Sequence, residues 1–448
     1  MQIDLGEIYN LNDYDELARM FLKKGEFDFR FTKIDKSEGT EKKDENKRRL
    51  YDSLSTYTGK VLPWGILTGV KPVKLYSQLA DLYGSDRAMD LFKTRYLVDN
   101  AKSELVGKIY ELQKKILHPP KPNEVAIYLG IPFCPTKCAY CTFTSHVGSR
   151  SDRETYLNAL IKEIKFVGNS MRDSNMVAES IYVGGGTPTA LDADELDNIL
   201  SCISTSFPAR EGTELCVEAG RPDTIDAEKT AIMINNNVGR ISINPQSLNE
   251  KTLEKIGRSH TNKDIDSAFN FAKKCGINDI NADVIAGLPG ETLEDFENTI
   301  SKLLKYEPSS ITVHTLSIKR GSGLQQDDPF YSYNQKGIAS QMLDYAERVL
   351  NENHMKPYYL YRQKQMVDNL ENIGYANQGA ECIYNVRIME EKQTIIALGA
   401  GASSKLYFPE IDRIERIFNV ADYKLYADRI DEMIERKKRI FIDVDKSS

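Results

Sequence analysis

The segment "EVAIYLGIPFCPTKCAYC" (124–141) leads from an apolar run, rich in residues that favour β-strands, into a loop with three cysteines. Three residues separate Cys134 from Cys138, two separate Cys138 from Cys141, and no fourth cysteine lies nearby in the sequence. Three thiolates at this spacing can hold three irons of a [4Fe–4S] cluster, which leaves the fourth iron open to another ligand. The alternative is a zinc site in which His146 supplies the fourth ligand.

The cysteine loop follows the first of six apolar, β-rich runs, and helix-period segments separate each run from the next. The runs are "EVAIYLGIPF" (124–133), "SIYVGGG" (180–186), "ELCVEAG" (214–220), "GRISINPQS" (239–247), "DINADVIAGLP" (279–289) and "SITVHTLSI" (310–318). Because parallel strands need a long crossover, usually a helix, this alternation predicts parallel βα units. We expect an α/β fold with a partial (β/α)6 TIM-like barrel, and an open doubly wound sheet is the alternative.

Two changes along the chain divide it into three predicted domains. The stretch "LHPPKPNE" (117–124) contains three prolines, which break a helix, and the alternation of strands and helices stops beyond about residue 355. We therefore predict an N-terminal α+β extension over residues 1–122, the barrel over residues 123–355 and a C-terminal α+β domain over residues 356–448.

Unusual residues collect where the six predicted strands end. In a barrel of parallel strands, the active site is built by the loops that leave the carboxyl ends of the strands. After the cysteine loop, the segments at these ends are "GGGTPT" (184–189), "EAGRPD" (218–223), "NPQS" (244–247), "NADVIAGLPGET" (281–292) and "VHTLSIKRGS" (313–322). This coincidence predicts one site to which all six strand ends contribute.

Individual residues at these ends suit a charged organic ligand. The glycines of "GGGTPT" let the backbone approach a ligand and expose N–H groups to a carboxylate or an amino acid. Glu218 and Asp283 are acids on apolar strands, so each needs a ligand or a cation, with an arginine partner as the structural alternative. Gln246 supplies an amide, and the guanidinium fork of Arg258 matches a carboxylate. Beside a cluster with one open iron, the ligand we expect is S-adenosylmethionine (SAM), which undergoes radical chemistry when the cluster feeds it one electron.

The composition argues against several other classes of protein. The chain of 448 residues has 41% hydrophobic residues and a formal net charge of −7, an acidic balance that gives no sign of nucleic-acid binding. The N-terminus lacks the pattern of a secretory signal, and no run of about 18 apolar residues predicts a membrane span. We therefore expect a cytoplasmic protein with neither a nucleic acid nor a membrane as its partner.

Several segments resemble known enzymes. "YLGIPFCPTKCAYC", "GGGTPT", "QSLNEKTLEKIGRSHT" and "NADVIAGLPGET" resemble the radical SAM enzymes of the oxygen-independent coproporphyrinogen III oxidase family. "PWGILTGVKPVKLY", "RISINPQS", "PYYLYRQKQM" and "YNVRIMEEKQTIIALGAGASSK" resemble its HemZ-type branch. The resemblance covers nearly the whole chain and implies the radical SAM partial barrel. The N-terminal extension departs from the best-characterised branch, which has a tyrosine- and arginine-bearing arm in its place.

The resemblance also implies functions for individual residues. Cys134, Cys138 and Cys141 match the ligands of a [4Fe–4S] cluster. The residues that match contacts to the cluster-bound SAM are Tyr128, Gly185 and Glu218. The residues that match contacts to a second SAM are Tyr140, Gly186, Thr187, Gln246, Arg258 and Asp283. Ser317, on the sixth strand, is a less close match, because the family pattern differs there.

The reaction implied by the resemblance is the oxidative decarboxylation of coproporphyrinogen III. A 5′-deoxyadenosyl radical, formed from SAM at the reduced cluster, takes hydrogen from a propionate side chain. Loss of carbon dioxide together with one electron then leaves a vinyl group, and two such rounds give protoporphyrinogen IX. No acid–base residue is assigned to the hydrogen abstraction. The implied partners are this or a related tetrapyrrole and a one-electron donor such as a flavodoxin or a ferredoxin.

Two alternatives stay open. Haem chaperones of the same family resemble it in the barrel, but they have a His-Asn pair and a Tyr-Trp pair in the C-terminal domain. The matching stretch here is "YNVRIM" (384–389), with a tyrosine in place of the histidine and no tryptophan. The other alternative is a radical SAM enzyme that acts on another tetrapyrrole.

Overall fold

The computed structural model describes residues 1–35, 39–143, 145–319, 321–335 and 337–444, with side chains as far as Phe441. The N-terminal region has two parallel strands, β1 (Gln2–Ile8) and β2 (Asp28–Lys33), which form a sheet of their own. Its helices are α1 (Asn12–Phe21), α2 (Thr40–Thr58), α3 (Pro72–Tyr83), α4 (Ser85–Thr94) and α5 (Asn100–Ile116). In the ranges given above, no helix of the chain is long and apolar enough to cross a membrane.

Six neighbouring parallel strands form the centre of the second sheet. They are β3 (Glu124–Ile131), β4 (Val177–Gly185), β5 (Ala209–Glu218), β6 (Arg240–Gln246), β7 (Asp279–Ala286) and β8 (Ser310–Thr315). Each pairs in parallel with the next one in the chain, so the spatial order follows the sequence order. In a doubly wound sheet, the order reverses at a switch point. The six runs are therefore confirmed as the strands of a partial (β/α)6 barrel.

Helices follow the strands and pack against them in the main apolar core. They are α6 (Arg150–Asp173), α7 (Ala193–Ser206), α8 (Ala227–Asn235), α9 (Glu250–Lys255), α10 (Asn262–Cys275), α11 (Leu293–Leu304), α12 (Gly323–Asp327) and α13 (Ile338–Glu352). Four of them begin at a capping box, with N-cap residues Ser149, Asp192, Thr261 and Thr292. Such a box satisfies backbone N–H groups at the start of a helix, so it sets where the preceding loop ends.

The C-terminal region adds strands to both edges of the same sheet. β9 (Lys356–Tyr361) and β10 (Asn372–Ala376) are antiparallel, and β10 also pairs with β8. β11 (Ile395–Leu398) pairs in parallel with β3 and is followed outward by β12 (Ser403–Phe408) and β13 (Arg413–Phe418). The helices here are α14 (Ile383–Glu390), α15 (Tyr423–Asp428) and α16 (Ile430–Val444). The eleven-stranded sheet thus runs across the domain boundary predicted at residue 355, and the division into three domains stays a prediction.

Alternate side chains of β3 face two different layers. Ile127 and Leu129 belong to the main apolar core, whereas Tyr128 joins a second cluster that contains Tyr182 of β4. Because successive side chains on a strand point to opposite faces, the second cluster fills the inside of the barrel. Helix α14 contributes Tyr384, whose ring centroid lies 4.6 Å from that of Tyr182 and 6.2 Å from that of Tyr128. The C-terminal region therefore fills part of the barrel interior.

A buried ion pair joins the N-terminal region to the C-terminal region, next to β10. The ammonium group of Lys102, on α5, lies 2.6 Å from the carboxylate of Glu371. The indole N–H of Trp64 donates to the same carboxylate at 2.7 Å. Because Glu371 is fully buried, its charge needs both partners, and the N-terminal region is tied to the segment before β10.

Candidate active site

The cysteine loop leaves the carboxyl end of β3 and is closed at its base by backbone hydrogen bonds. The N–H of His146 donates to the carbonyl of Pro132 at 2.8 Å, and the N–H of Cys134 donates to the carbonyl of His146 at 3.0 Å. Further along, the N–H of Cys141 donates to the carbonyl of Cys138 at 3.1 Å. All three cysteines are free and half-buried, so a tightly turned backbone presents three available thiols.

The middle of the loop is held by two neighbouring segments. The N–H of Ala139 donates to the carbonyl of Ile256, and the carbonyl of Ala139 accepts from the N–H of Leu324, both at 3.0 Å. Ile256 ends α9, after β6, and Leu324 lies in α12, after β8. The loop is thereby fixed to the units that follow two other strands. Arg320, in the segment that leads from β8 to α12, lies outside the described residues.

The three thiols fit an iron–sulfur cluster better than a single zinc ion. Burial raises the pKa of Cys141, and the charges of Cys138 and Cys134 raise it further, so three thiolates here need a cationic partner. Sulfurs bound to one zinc ion at about 2.3 Å lie within about 4.6 Å of one another. Within the described ranges, the one set of three ligand atoms that all lie within 4.8 Å of one another is outside this loop. At least one pair of the three sulfurs is therefore more than 4.8 Å apart, which suits a cluster that offers a different iron to each.

The glycines at the end of β4 pack tightly against the segment that leads from β3 into the cysteine loop. Gly185 has a φ of +104°, and a Cβ on Gly186 would lie 2.5 Å from the carbonyl oxygen of Phe133. Both positions therefore require glycine. The N–H of Gly186 donates to the carbonyl of Ile131, and that of Thr187 to the carbonyl of Phe133, both at 2.7 Å. The expectation that these N–H groups are exposed to a ligand is wrong, because the neighbouring strand and loop already occupy them.

Thr187 nevertheless lies beside the predicted cluster. Its hydroxyl oxygen is 3.5 Å from the sulfur of Cys134. Since the backbone N–H groups are occupied, contacts of Gly186 and Thr187 to a ligand would use the hydroxyl group or the Cα surface. Their predicted function in cofactor binding stays a prediction.

Glu218, at the end of β5, has a phenol and a backbone N–H as its partners. The hydroxyl of Tyr182 donates to its carboxylate at 2.5 Å, and the N–H of Gly185 donates to the same group. Burial and, to a lesser extent, the nearby charge of Asp283 raise the pKa of Glu218 to about 7, although the hydrogen bond from Tyr182 acts in the opposite direction. The carboxylate is therefore poised to lose its proton near neutral pH, when a cation arrives beside it.

Asp283, on β7, is held in its charged form by its neighbours. The amide of Asn281 donates to its carboxylate at 2.7 Å, and the Nε2 atom of His314 lies 3.4 Å away. Burial by itself would raise the pKa of Asp283, but His314 and these hydrogen bonds together lower it below its usual value. Asp283 and Glu218 are thus neighbouring acids whose environments move their pKa values in opposite directions.

Arg258 connects the cysteine loop to the ends of two strands. Its Nη1 group donates to the hydroxyl of Tyr140 at 3.1 Å and lies 4.0 Å from the sulfur of Cys138. Its Nη2 group donates to the carbonyls of Gly220 and Asn244, at 2.9 and 2.6 Å. Protein atoms therefore contact both ends of this guanidinium, and its predicted contact with a ligand stays a prediction. Arg258 acts as a buried brace whose charge faces the predicted cluster.

Gln246 has an unusual backbone and an unpaired side chain. Its φ of +67° lies in the left-handed region, and the register of β6 against β7 shifts just before it. Strained positions of this kind collect at functional sites. Its Oε1 atom is buried and has no hydrogen-bond partner among the described residues, so a donor from a ligand would satisfy it.

Ser317 is engaged with the segment that follows β9. Its hydroxyl donates to the carbonyl of Lys364 at 2.8 Å, and its backbone forms an isolated bridge with Met366. Its hydroxyl hydrogen is thus already used within the protein. The predicted contact of Ser317 with a SAM molecule stays a prediction.

Two further residues of the site were not singled out from the sequence. Tyr182 is the hydrogen-bond donor to Glu218, and the imidazole of His314 lies beside Asp283. Both lie on predicted strands, and because successive side chains on a strand point to opposite faces, the alternation along each strand was the available signal. What the sequence could not supply was the pairing, because each partner lies on a different strand.

Comparison with known proteins identifies the family. The family model described as the radical SAM superfamily matches residues 128–303. The chain is also 41% identical over 399 residues to the oxygen-independent coproporphyrinogen-III oxidase-like protein HemZ of Bacillus subtilis, covering 87% of this chain and 79% of that protein. This chain belongs to the radical SAM family of HemZ. The family predicted from the sequence is thereby confirmed, and it implies a [4Fe–4S] cluster and SAM.

Two other matches extend the comparison. The haem chaperone HemW of Bacillus subtilis is 30% identical over 306 residues, which cover 68% of this chain and 76% of HemW. The structure of coproporphyrinogen III oxidase (HemN) from Escherichia coli superimposes with a TM-score of 0.56 and 19% sequence identity, over 72% of this chain and 73% of HemN. This second likeness concerns the fold, and it confirms the radical SAM architecture.

Proposed function

We propose that this member of the HemZ family is a radical SAM oxidoreductase that decarboxylates coproporphyrinogen III oxidatively and yields protoporphyrinogen IX. The observation that carries the proposal is the grouping of three free thiols, two neighbouring acids and a buried arginine at the carboxyl ends of the barrel strands. The similarity to proteins named for coproporphyrinogen III supports this substrate.

The chain's own residues would hold the two cofactors. Cys134, Cys138 and Cys141 would bind the cluster, leaving one iron for SAM. When bound, the cluster and SAM together supply a one-electron cleavage that generates an organic radical. The carboxylate of Glu218, buried beside Tyr182, would accept hydrogen bonds from a cationic part of SAM such as its amino group. Tyr128, half-buried on β3 with its ring stacked on that of Tyr182, would provide an apolar wall.

A second SAM molecule is part of the proposal. The residues that would contact it are Tyr140, Gly186, Thr187, Gln246, Arg258 and Asp283. The unpaired Oε1 atom of Gln246 supports this assignment, since a hydroxyl or amino group of a ligand would satisfy it. The lowered pKa of Asp283 supports it as well, because a permanent carboxylate suits a cationic ligand.

The environment of Tyr384 favours an enzyme over a haem chaperone. The resemblance implies a histidine at this position in the chaperones, and an imidazole is a common haem ligand. Tyr384 is only 5% exposed, and its ring stacks on Tyr182 inside the barrel. A residue buried in this way cannot bind haem iron at the protein surface.

The reaction can be tested with the anaerobically prepared, cluster-loaded protein, SAM, a chemical reductant or a reduced flavodoxin or ferredoxin, and coproporphyrinogen III. We expect 5′-deoxyadenosine together with a product that has lost carbon dioxide from its propionates, both measured by liquid chromatography and mass spectrometry. The Cys138→Ala variant is the control and should form neither product. Tight stoichiometric binding of haem without turnover would instead identify a chaperone. If 5′-deoxyadenosine formed only with another tetrapyrrole, the protein would still be a radical SAM enzyme, but its substrate would be that tetrapyrrole.

A further inference from the structure

A second cleft lies at the opposite edge of the sheet from the cysteine loop. It has a volume of about 350 Å³ and lies between α3 and α5 of the N-terminal region and the C-terminal end of α14. The segment 117–120, which lines it, precedes the amino end of β3. Volumes of this size are typical of sites for small molecules.

Four lysines line this cleft: Lys71, Lys74, Lys114 and Lys392. Lys71 and Lys74 share one carboxylate, that of Glu391, at 2.5 and 3.0 Å. The same carboxylate also meets Lys405 at 3.0 Å and Arg416 at 3.7 Å. Four cations thus surround a single anion, so positive charge remains uncompensated beside the cleft.

The other two lysines differ in their partners. Lys392 pairs with Asp81 at 3.1 Å. The ammonium group of Lys114 lies 5.2 Å from the centre of the Tyr110 ring, and within the described part of the chain it has no carboxylate at ion-pair distance. Lys114 is therefore available to an anion that enters the cleft, and Tyr110 holds it beside the opening.

An adjacent group of potential metal ligands does not weaken the attraction of the cleft for an anion. The side chains of His118, Glu124 and Glu179 offer three ligand atoms within 4.8 Å of one another. Two guanidinium groups already neutralise the acids, since Arg387 lies 2.8 Å from Glu179 and Arg210 lies 2.9 Å from Glu124. This group is an ion-pair network and adds no free negative charge to the cleft.

The cleft is also lined by two acids that already have a cationic partner, Asp81 with Lys392 and Glu390 with Arg387, and by several apolar walls. The apolar walls include Val73, Leu117, Leu360 and Met389, together with the ring of Tyr110. An inorganic anion would leave these walls uncovered, and a neutral apolar molecule would leave the lysine charges uncompensated. We propose that this cleft binds an amphipathic organic carboxylate, with its apolar body against these walls and its carboxylate between the lysines.

Calorimetry with the full, cluster-loaded chain tests this assignment, with naphthoate as the probe and neutral naphthamide and inorganic sulfate as comparators. We expect one molecule of naphthoate to bind, about tenfold more tightly than either comparator, because only it satisfies both the walls and the lysines. Saturating SAM should not displace it. Equal affinity for naphthoate and naphthamide, or displacement by SAM, would overturn the proposal.

Two variants locate the binding. Lys114→Glu changes an exposed side chain that forms no ion pair with any described residue, and it should weaken naphthoate binding about tenfold by reversing one charge at the opening. Lys108→Glu is the matched control, because Lys108 is an exposed lysine on the same helix but outside the cleft. An equal effect of the two variants would overturn the assignment. This test does not depend on which reaction takes place at the cysteine loop.

Discussion

The guanidinium group of Arg258 donates to the hydroxyl of Tyr140 at 3.1 Å, and this bond ties the cysteine loop to the segment between α9 and α10. The same guanidinium holds two backbone carbonyls, one at the end of β5 and one in β6. A single buried side chain therefore sets the position of the loop relative to two strands.

Replacing Arg258 by methionine should destabilise the protein and reduce its activity. The change leaves a phenol and two carbonyls without their donor, which costs about 3 kcal/mol in the free energy of unfolding. Urea unfolding measures this loss, and 5′-deoxyadenosine formation reports the displaced loop. Tyr140→Phe removes only one of these bonds and should cost about 1 kcal/mol. Equal losses in the two variants would contradict the bracing function of Arg258.

Replacing Cys138 by alanine should remove the iron–sulfur cluster. Two thiolates on the loop cannot hold three irons, so the iron content and the brown absorbance should both fall to background. Iron analysis and visible spectroscopy of anaerobically reconstituted protein measure these quantities. Cys275→Ala changes a half-buried cysteine at the end of α10 and should keep the full iron content. Retention of all the iron by Cys138→Ala would refute the assignment of ligands.

The affinity for SAM should depend on pH through Glu218. Its pKa of about 7 means that the carboxylate is largely protonated in more acidic solution and charged in more basic solution. SAM should therefore bind more tightly at about pH 8 than at about pH 6, by up to about tenfold. Calorimetric titration with SAM measures the dissociation constant at each pH. Glu218→Gln should bind SAM weakly and with little dependence on pH, and an unchanged pH profile in this variant would contradict the prediction.

The same group should affect the stability of the protein without cofactors. The pKa of Glu218 in the folded state, about 7, is higher than its ordinary value of 4.5. Between these two values the folded state binds more protons than the unfolded state, so the contribution of Glu218 to stability falls as the pH rises through this window. Glu218→Gln should remove this decline, which thermal unfolding at several pH values would detect.

Replacing Glu371 by glutamine should loosen the N-terminal region from the C-terminal part of the sheet. The amide has nearly the same shape, but the ammonium group of Lys102 is left buried without an opposite charge. Removal of one partner of a buried ion pair costs about 3 to 5 kcal/mol. Urea unfolding measures this cost, and limited proteolysis should show faster cleavage of the N-terminal region. Glu352→Gln, which removes an exposed pair with Arg348, should have little effect.

Much of the fold could be predicted because it depends on neighbours along the chain. Each of the runs that became β3 to β8 has its apolar residues and its following helix within one short segment. The cysteine spacing is equally local, and so are the capping boxes at Ser149, Asp192, Thr261 and Thr292. Contacts between side chains on different strands could not be predicted from such local patterns. Tyr182 and His314 became parts of the site because they meet acids on other strands.

By itself, the sequence determined the family, the six parallel βα units and the three thiols on one loop. Only the tertiary structure decided which groups remain available to a ligand. The register of β4 against β3 lets the N–H groups of Gly186 and Thr187 donate to backbone carbonyls of the protein. Arg258 likewise donates to carbonyls that follow β5 and lie in β6. The fold also brings Lys71 and Lys114 together with Lys392 in one cleft. Hydrogen bonds and charge compensation depend on distances between residues that lie far apart in the chain, so only the folded molecule determines them.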